Sequence, residues 1–135
     1  MNDLVVYMRT AVYRQNGLVT FVNISGEIAA VGAAYQNGFG IRLPGVLRSQ
    51  IDENRIEYTI NDLPTAPYNP LESGPNEAIF MLMYNVWNYV SAGEDCTFYR
   101  TELGCGSNIQ ARFNLNIPFQ APGVANIKGS NTPEV

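Results

Sequence analysis

Residues 34–45 have the sequence AYQNGFGIRLPG, in which three glycines and a proline interrupt a short apolar run. The pair Asn37-Gly38 predicts a tight hairpin turn, because both residues accept the positive φ angles that such a turn requires. From Phe39 to Leu43 apolar side chains occupy every second position, which predicts a strand with one buried face. Pro44-Gly45 predicts that this strand ends there or lies at a sheet edge, since proline has no amide hydrogen for the ladder.

The same alternation extends in both directions along the chain. A turn at 15–17 separates two long segments rich in Val, Ile, Thr and Tyr. Gly26 within the second segment predicts a bulge or a close backbone approach, and with it a bend near Ser25-Gly26. Residues 46–54 are polar and predict a helical turn. Strands are predicted at residues 3–14, 18–31, 39–43, 55–60, 77–86 and 109–117.

Residues 77–86 are apolar on both faces, which fits either a buried helix or a fully covered strand. We favour a central strand, because aromatic residues and flanking prolines accompany the run and the rest of the chain has a strand pattern. Residues 63–76 contain four prolines and predict the longest loop of the chain.

About seven strands and almost no helix predict an all-β fold, a single antiparallel β-sandwich of jelly-roll or immunoglobulin-like type. A chain of 135 residues is long enough for one hydrophobic core without a metal or a disulfide. We expect the sandwich domain to span residues 1–117. Residues 118–135 are polar and rich in Gly and Pro, so we expect a loosely held tail.

The charge pattern argues against nucleic acid as a partner. The net charge is −4, and the eight basic residues are scattered, whereas phosphate binding requires a basic stripe. No apolar run approaches the length of a membrane span, so we expect no membrane insertion.

Cys96 and Cys105 are the two cysteines of the chain. Their spacing is too wide for a CxxC redox motif, and no further Cys or His accompanies them as a zinc site would require. We therefore expect a local disulfide, which indicates an oxidising, extracellular compartment. The alternative is a pair of unmodified thiols in a cytosolic protein.

The chain contains no histidine, which removes the commonest general base and metal ligand. The remaining acidic residues fit solvated loop charges better than the opposed carboxylates of a glycosidase, so we expect a non-enzymatic protein. Tyr84, Trp87 and Tyr89 are interspersed with asparagines, a combination suited to stacking on sugar rings. The alternative, which we favour, is that Trp87 fills the core of the sandwich.

Several of these segments resemble the LruC domain (DUF4842) of bacterial secreted and surface proteins, over about residues 2–86. The resemblance is carried mainly by NDLVV at 2–6, GFG at 38–40 and LPG at 43–45. It implies a β-rich extracellular domain and no reaction. The resemblance also implies a calcium site at Asn2 and Asp3, because calcium prefers oxygen ligands. The alternative is that Asp3 keeps the start of the strand soluble.

These observations together predict an extracellular or cell-surface module with an adhesive role, whose partner is a protein or a glycan. One alternative is a carbohydrate-binding module that uses Trp87 and Tyr89. Another is a fibre subunit whose open sheet edge is completed by a strand from a neighbouring chain. No cofactor other than calcium is expected.

Overall fold

The computed structural model describes residues 4–31, 38–65, 68–74, 76–84 and 111–125. These residues form an antiparallel β-sandwich, with two short 3-10 turns at Arg48–Gln50 and Glu53–Arg55. The seven strands are β1 (Leu4–Gln15), β2 (Leu18–Val31), β3 (Phe39–Leu47), β4 (Glu57–Ile60), β5 (Leu63–Pro64), β6 (Glu77–Met83) and β7 (Ala111–Pro118). The predicted all-β class is confirmed, and residues 77–83 form a strand, not a helix.

The first sheet has the strand order β1-β2-β7-β4-β5, and the second sheet pairs β3 with β6. The hairpin between β1 and β2 turns at Asn16 and Gly17, whose φ angles are 54° and 81°. The sequence predicted this turn. A second two-residue turn at Asn61 and Asp62 joins β4 to β5, also with positive φ angles. The sequence analysis missed it, because neither residue is glycine.

The core lies between the inner faces of the two sheets. Every second residue of β7 from Ala111 to Ile117 is buried, as the alternation predicted. The Phe113 ring of β7 contacts the Phe39 ring of β3, with ring centroids 5.4 Å apart, so the two sheets interlock at this point. Apolar burial of this kind is the main favourable contribution to folding.

Pro44-Gly45 does not end β3; the second possibility holds, because among the described strands β3 pairs with β6 alone and so lies at a sheet edge. The strand continues to Leu47, and its pairing with β6 shifts register between Arg42 and Leu47. Pro44 interrupts the ladder, while Gly45 adopts a φ of 79°, which a bulge tolerates. The chain then pairs again, with Leu47 opposite Glu77.

Gly26 marks a close approach of the backbone, one of the two possibilities given by the sequence, and not a bulge. The pairing of β2 with both neighbours is regular through this residue. A side chain here would meet the carbonyl oxygen of Tyr7 and the ring of Phe113, whose Cζ would lie 2.7 Å from a Cβ atom. Glycine is therefore required by the close approach of its neighbours.

The packed part of the chain extends beyond residue 117, where the sequence analysis placed the start of a loose tail. Phe119 and Val124 are both buried. Phe119 forms an isolated antiparallel β-bridge with Ile51, and Val124 forms one with Val19. These two buried side chains, together with backbone hydrogen bonds to Thr20, Gln50 and Val19, hold the segment against the sandwich. Residues 126–135 lie outside the described part.

Candidate functional site

Most of the residues predicted to form sites lie outside the described ranges. This applies to Asn2 and Asp3 as calcium ligands, to Cys96 and Cys105 as a disulfide, and to Trp87 and Tyr89 as sugar-stacking residues. Tyr84 is described, directly after β6, and 66% of its surface is exposed.

Tyr84 is the exposed end of a row of three tyrosine rings. Its ring lies 6.0 Å from that of Tyr68, in an edge-to-face arrangement, and Tyr68 in turn lies 6.4 Å from Tyr58. Such geometries are favoured by the quadrupoles of aromatic rings. The row therefore runs from the buried Tyr58 to the surface.

The hydroxyl groups of the two inner tyrosines are bound to the backbone of β6. Tyr58 Oη donates to the carbonyl oxygen of Leu82 at 2.7 Å, and Tyr68 Oη donates to that of Met81 at 2.5 Å. Tyr58 belongs to the first sheet, so its hydrogen bond crosses between the sheets. Both rings are held in fixed orientations by these bonds.

Beside this row is a pocket of about 410 Å³, which we call the tyrosine pocket. The residues that line it come from the second 3-10 turn, from β4 and β5, and from the proline-rich segment that follows β5. They are Glu53, Ile56, Glu57, Tyr58, Thr59, Pro64, Thr65, Tyr68, Asn69 and Pro70.

The proline-rich segment is fixed by hydrogen bonds at both of its ends. Thr65 donates to the carbonyl oxygen of Tyr58 through both its amide and its hydroxyl, each at 3.1 Å. Further along, the Met81 amide donates to the Pro70 carbonyl oxygen at 2.8 Å. Asn69 Oδ1 accepts from the Leu71 amide at 3.0 Å, an Asx turn. These hydrogen bonds hold the described residues of the pocket wall in place without a ligand.

The polar groups of the tyrosine pocket are mainly hydrogen-bond acceptors and hydroxyls. Glu53 forms an ion pair with Arg48 at 3.0 Å, and Glu57 accepts a long hydrogen bond of 3.5 Å from Asn116. No basic residue is among the described residues that line the pocket. An anion would meet the carboxylate of Glu57, which forms no ion pair with the described residues, whereas hydroxyl groups would find acceptors.

The outer face of the first sheet carries a second polar surface. Asn23 Nδ2 donates to Asn114 Oδ1 at 2.7 Å and to Asn116 Oδ1 at 2.5 Å, which joins β2 to β7. A shallow groove of about 500 Å³ lies beside these amides, and an ion pair of 3.0 Å between Arg112 and Asp62 occupies one of its walls. This groove is more open than the tyrosine pocket and lacks a described loop to enclose a ligand.

Neither a metal-binding cluster nor a membrane-spanning helix is present among the described residues. The described segments contain no group of three or more His, Cys, Asp or Glu residues able to hold a metal ion. Within the same segments, no helix has the length and apolar character needed to cross a membrane.

Sequence reasoning identified Tyr84 but not Tyr68 or the pocket. The available signal was the long loop at 63–76, in which Tyr68-Asn69 stands between prolines. Long loops are often functional, but their shape depends on tertiary hydrogen bonds that no local pattern encodes.

Comparison with known families gives one match. The model described as "Domain of unknown function (DUF4842)" matches residues 17–133. This range begins after the NDLVV block at 2–6 and continues well past residue 86, so the likeness reaches further toward the carboxyl end than the sequence motifs indicated. Comparisons with curated proteins and with solved structures gave no match.

Proposed function

This chain belongs to the DUF4842 family, and from that premise we propose that it is a non-catalytic adhesive module of the extracellular surface that binds carbohydrate in the tyrosine pocket. The observation that carries the proposal is the fixed ring of Tyr68 on the pocket wall. Its hydroxyl is bound to the Met81 carbonyl oxygen, so the ring offers an aromatic surface without first being ordered.

Sugar rings combine apolar C–H faces with several hydroxyl groups, and the tyrosine pocket offers a partner for each. The Tyr68 ring and the two prolines supply apolar surface. Glu57 supplies carboxylate oxygens, Asn69 an amide, and Thr59 a hydroxyl. Because the described lining has no basic residue, a neutral glycan fits better than an anionic one.

The non-catalytic part of the proposal has separate support. The chain has no histidine for proton transfer. Of the two carboxylates in the pocket, that of Glu53 forms an ion pair of 3.0 Å with Arg48. Two features of the sequence support the proposed extracellular location. Cys96 and Cys105 are spaced for a local disulfide, which forms in oxidising compartments, and the chain has one lysine in 135 residues.

The proposal is tested by calorimetry against a panel of neutral and anionic oligosaccharides. We expect Tyr68→Ala to weaken binding roughly tenfold or more, as for the loss of one aromatic contact of about 1.5 kcal/mol. Tyr68→Phe keeps the ring and should retain most of the affinity. Leu47→Ala, which shortens an exposed apolar side chain at the end of β3 outside the pocket lining, is the control and should bind normally.

Circular dichroism and thermal melts verify that each variant is folded. Failure of every glycan to bind at millimolar concentration would contradict the proposal, as would unchanged affinity in a folded Tyr68→Ala protein. Bound oligosaccharides should have the same mass after long incubation. Their cleavage would show that the module is an enzyme.

Fluorescence distinguishes binding at the alternative site, Trp87, from binding in the tyrosine pocket. Trp87 is the single tryptophan of the chain, so its emission reports on that position alone. If a glycan quenches Trp87 and binding survives Tyr68→Ala, the ligand binds at Trp87 and Tyr89 and not in the tyrosine pocket.

A further inference from the structure

Strand β1 forms one edge of the first sheet, and three of its exposed side chains are large and apolar. Among the described residues, six large hydrophobic side chains are exposed, and three of them lie on this strand: Tyr7 (48%), Val12 (39%) and Tyr13 (53%). Within the described ranges, no strand pairs with the outer edge of β1. A long edge strand that carries apolar side chains is a template for a further strand.

The inner face of β1 is also incompletely covered. Val12 is opposite the buried Val22 of β2, and Thr10 is opposite the buried Ile24, yet both β1 residues are exposed. The hydrophobic core therefore reaches β2 and ends part of the way across β1. A strand added at this edge would extend the core over Val12.

We propose that this edge pairs with β1 of a second copy of the chain, antiparallel about a two-fold axis through Thr10, so that two five-stranded sheets become one continuous sheet. This proposal is independent of the proposed glycan binding. It would give the protein two pockets, and two linked sites raise the apparent affinity for a multivalent surface.

The register follows from the side chains. The regular part of β1 lies between its two irregularities, at 5/6 and at 13/14. With Thr10 on the axis, Tyr7 is opposite Tyr13 of the second copy and Met8 is opposite its Val12. Arg9 is opposite Ala11, so no two like charges meet.

Other registers are less favourable. An axis through Arg9 would place the two arginines opposite one another, and like charges directly opposite are destabilising. An axis through Ala11 would place the exposed apolar side chains of β1 opposite polar ones, with Tyr7 facing Gln15, Val12 facing Thr10 and Tyr13 facing Arg9. A shift by a single residue would set the core face of one copy against the outer face of the other. The self-complementary pattern about Thr10 favours a second copy over an unrelated strand.

The experiment uses the full chain and measures mass by light scattering and sedimentation across micromolar concentrations. Wild type should show a monomer–dimer equilibrium. Thr10→Glu and Thr10→Arg each place like charges on the axis and should raise the dissociation constant at least tenfold. An equimolar mixture of the two variants pairs opposite charges and should restore the dimer. Ser49→Glu and Ser49→Arg, on the exposed first 3-10 turn, are the matched controls and should dimerise as wild type does.

Cross-linking tests the register itself. Directly opposed Cβ atoms lie about 5 Å apart, close enough for a disulfide after a small adjustment. Thr10→Cys should form a covalent dimer under mild oxidation, whose linked peptides both contain position 10. Ala11→Cys should not, since its counterpart across the ladder is Arg9. A wild type that stays monomeric at the highest concentration, a dimer that survives Thr10→Arg, or a mixture that fails to restore the dimer would each overturn the proposal.

Discussion

Replacing Gly26 with alanine adds one methyl group between β1 and the core. The new Cβ would lie 2.7 Å from Phe113 Cζ, and closer still to the Tyr7 carbonyl oxygen. Carbon atoms in ordinary contact are about 3.5–4.0 Å apart, so the Phe113 ring would have to move by about 1 Å. That ring is held against Phe39, and the Tyr7 carbonyl belongs to the β1 backbone, so neither group moves freely.

The expected magnitude is a difference of two effects. Overpacking of this kind costs about 1–3 kcal/mol, whereas alanine in a strand is favoured over glycine by about 0.5–1 kcal/mol. We therefore expect a net loss of about 0.5–2 kcal/mol in the free energy of unfolding, measured by urea denaturation followed by circular dichroism.

The control is Gly74→Ala, because nothing lies within 4 Å of a Cβ atom at that position. It should change stability by less than about 1 kcal/mol, in the stabilising direction if in any. Phe113→Leu should partly rescue Gly26→Ala, since removing the ring edge relieves one of the two contacts. Equal stability of the Gly26→Ala and Gly74→Ala proteins, or strictly additive effects of Gly26→Ala and Phe113→Leu, would refute the reasoning.

Three further outcomes are expected. Tyr58→Phe removes the hydrogen bond to the Leu82 carbonyl oxygen between the sheets, so the free energy of unfolding should fall by about 0.5–1.5 kcal/mol in urea titrations. Leu115→Ala opens a cavity at a fully buried position and should cost about 2–5 kcal/mol by the same measurement; a loss under 1 kcal/mol would contradict its place in the core. Cys96 and Cys105, if bridged, should raise the mass of the protein by two hydrogens on reduction, and an unchanged mass would exclude the bridge.

Local sequence rules were sufficient for six of the seven described strands, whereas β5 lies within the predicted loop at 63–76. In β7 the alternation from Ala111 to Ile117 identified the inner residues correctly, because side chains on a strand point to opposite faces in turn. The turn at Asn16-Gly17 was equally predictable, since its positive φ angles are a property of those two residues. At Pro44-Gly45 the same local rules allowed either a strand end or an edge strand. The tertiary structure selected the edge strand, with a bulge that includes both residues within β3.

Strand order and the site were decided by the tertiary structure. Alternation determines which side of a strand faces the core but not which strand becomes its neighbour, because backbone hydrogen-bonding groups are alike on every edge. Asn23 and Asn114 are 91 residues apart in the chain, and only the pairing of β2 with β7 joins their amides. The tyrosine pocket likewise exists because the segment after β5 is bound to β4 and β6, and these long-range hydrogen bonds bring Tyr58, Tyr68 and Tyr84 into one row.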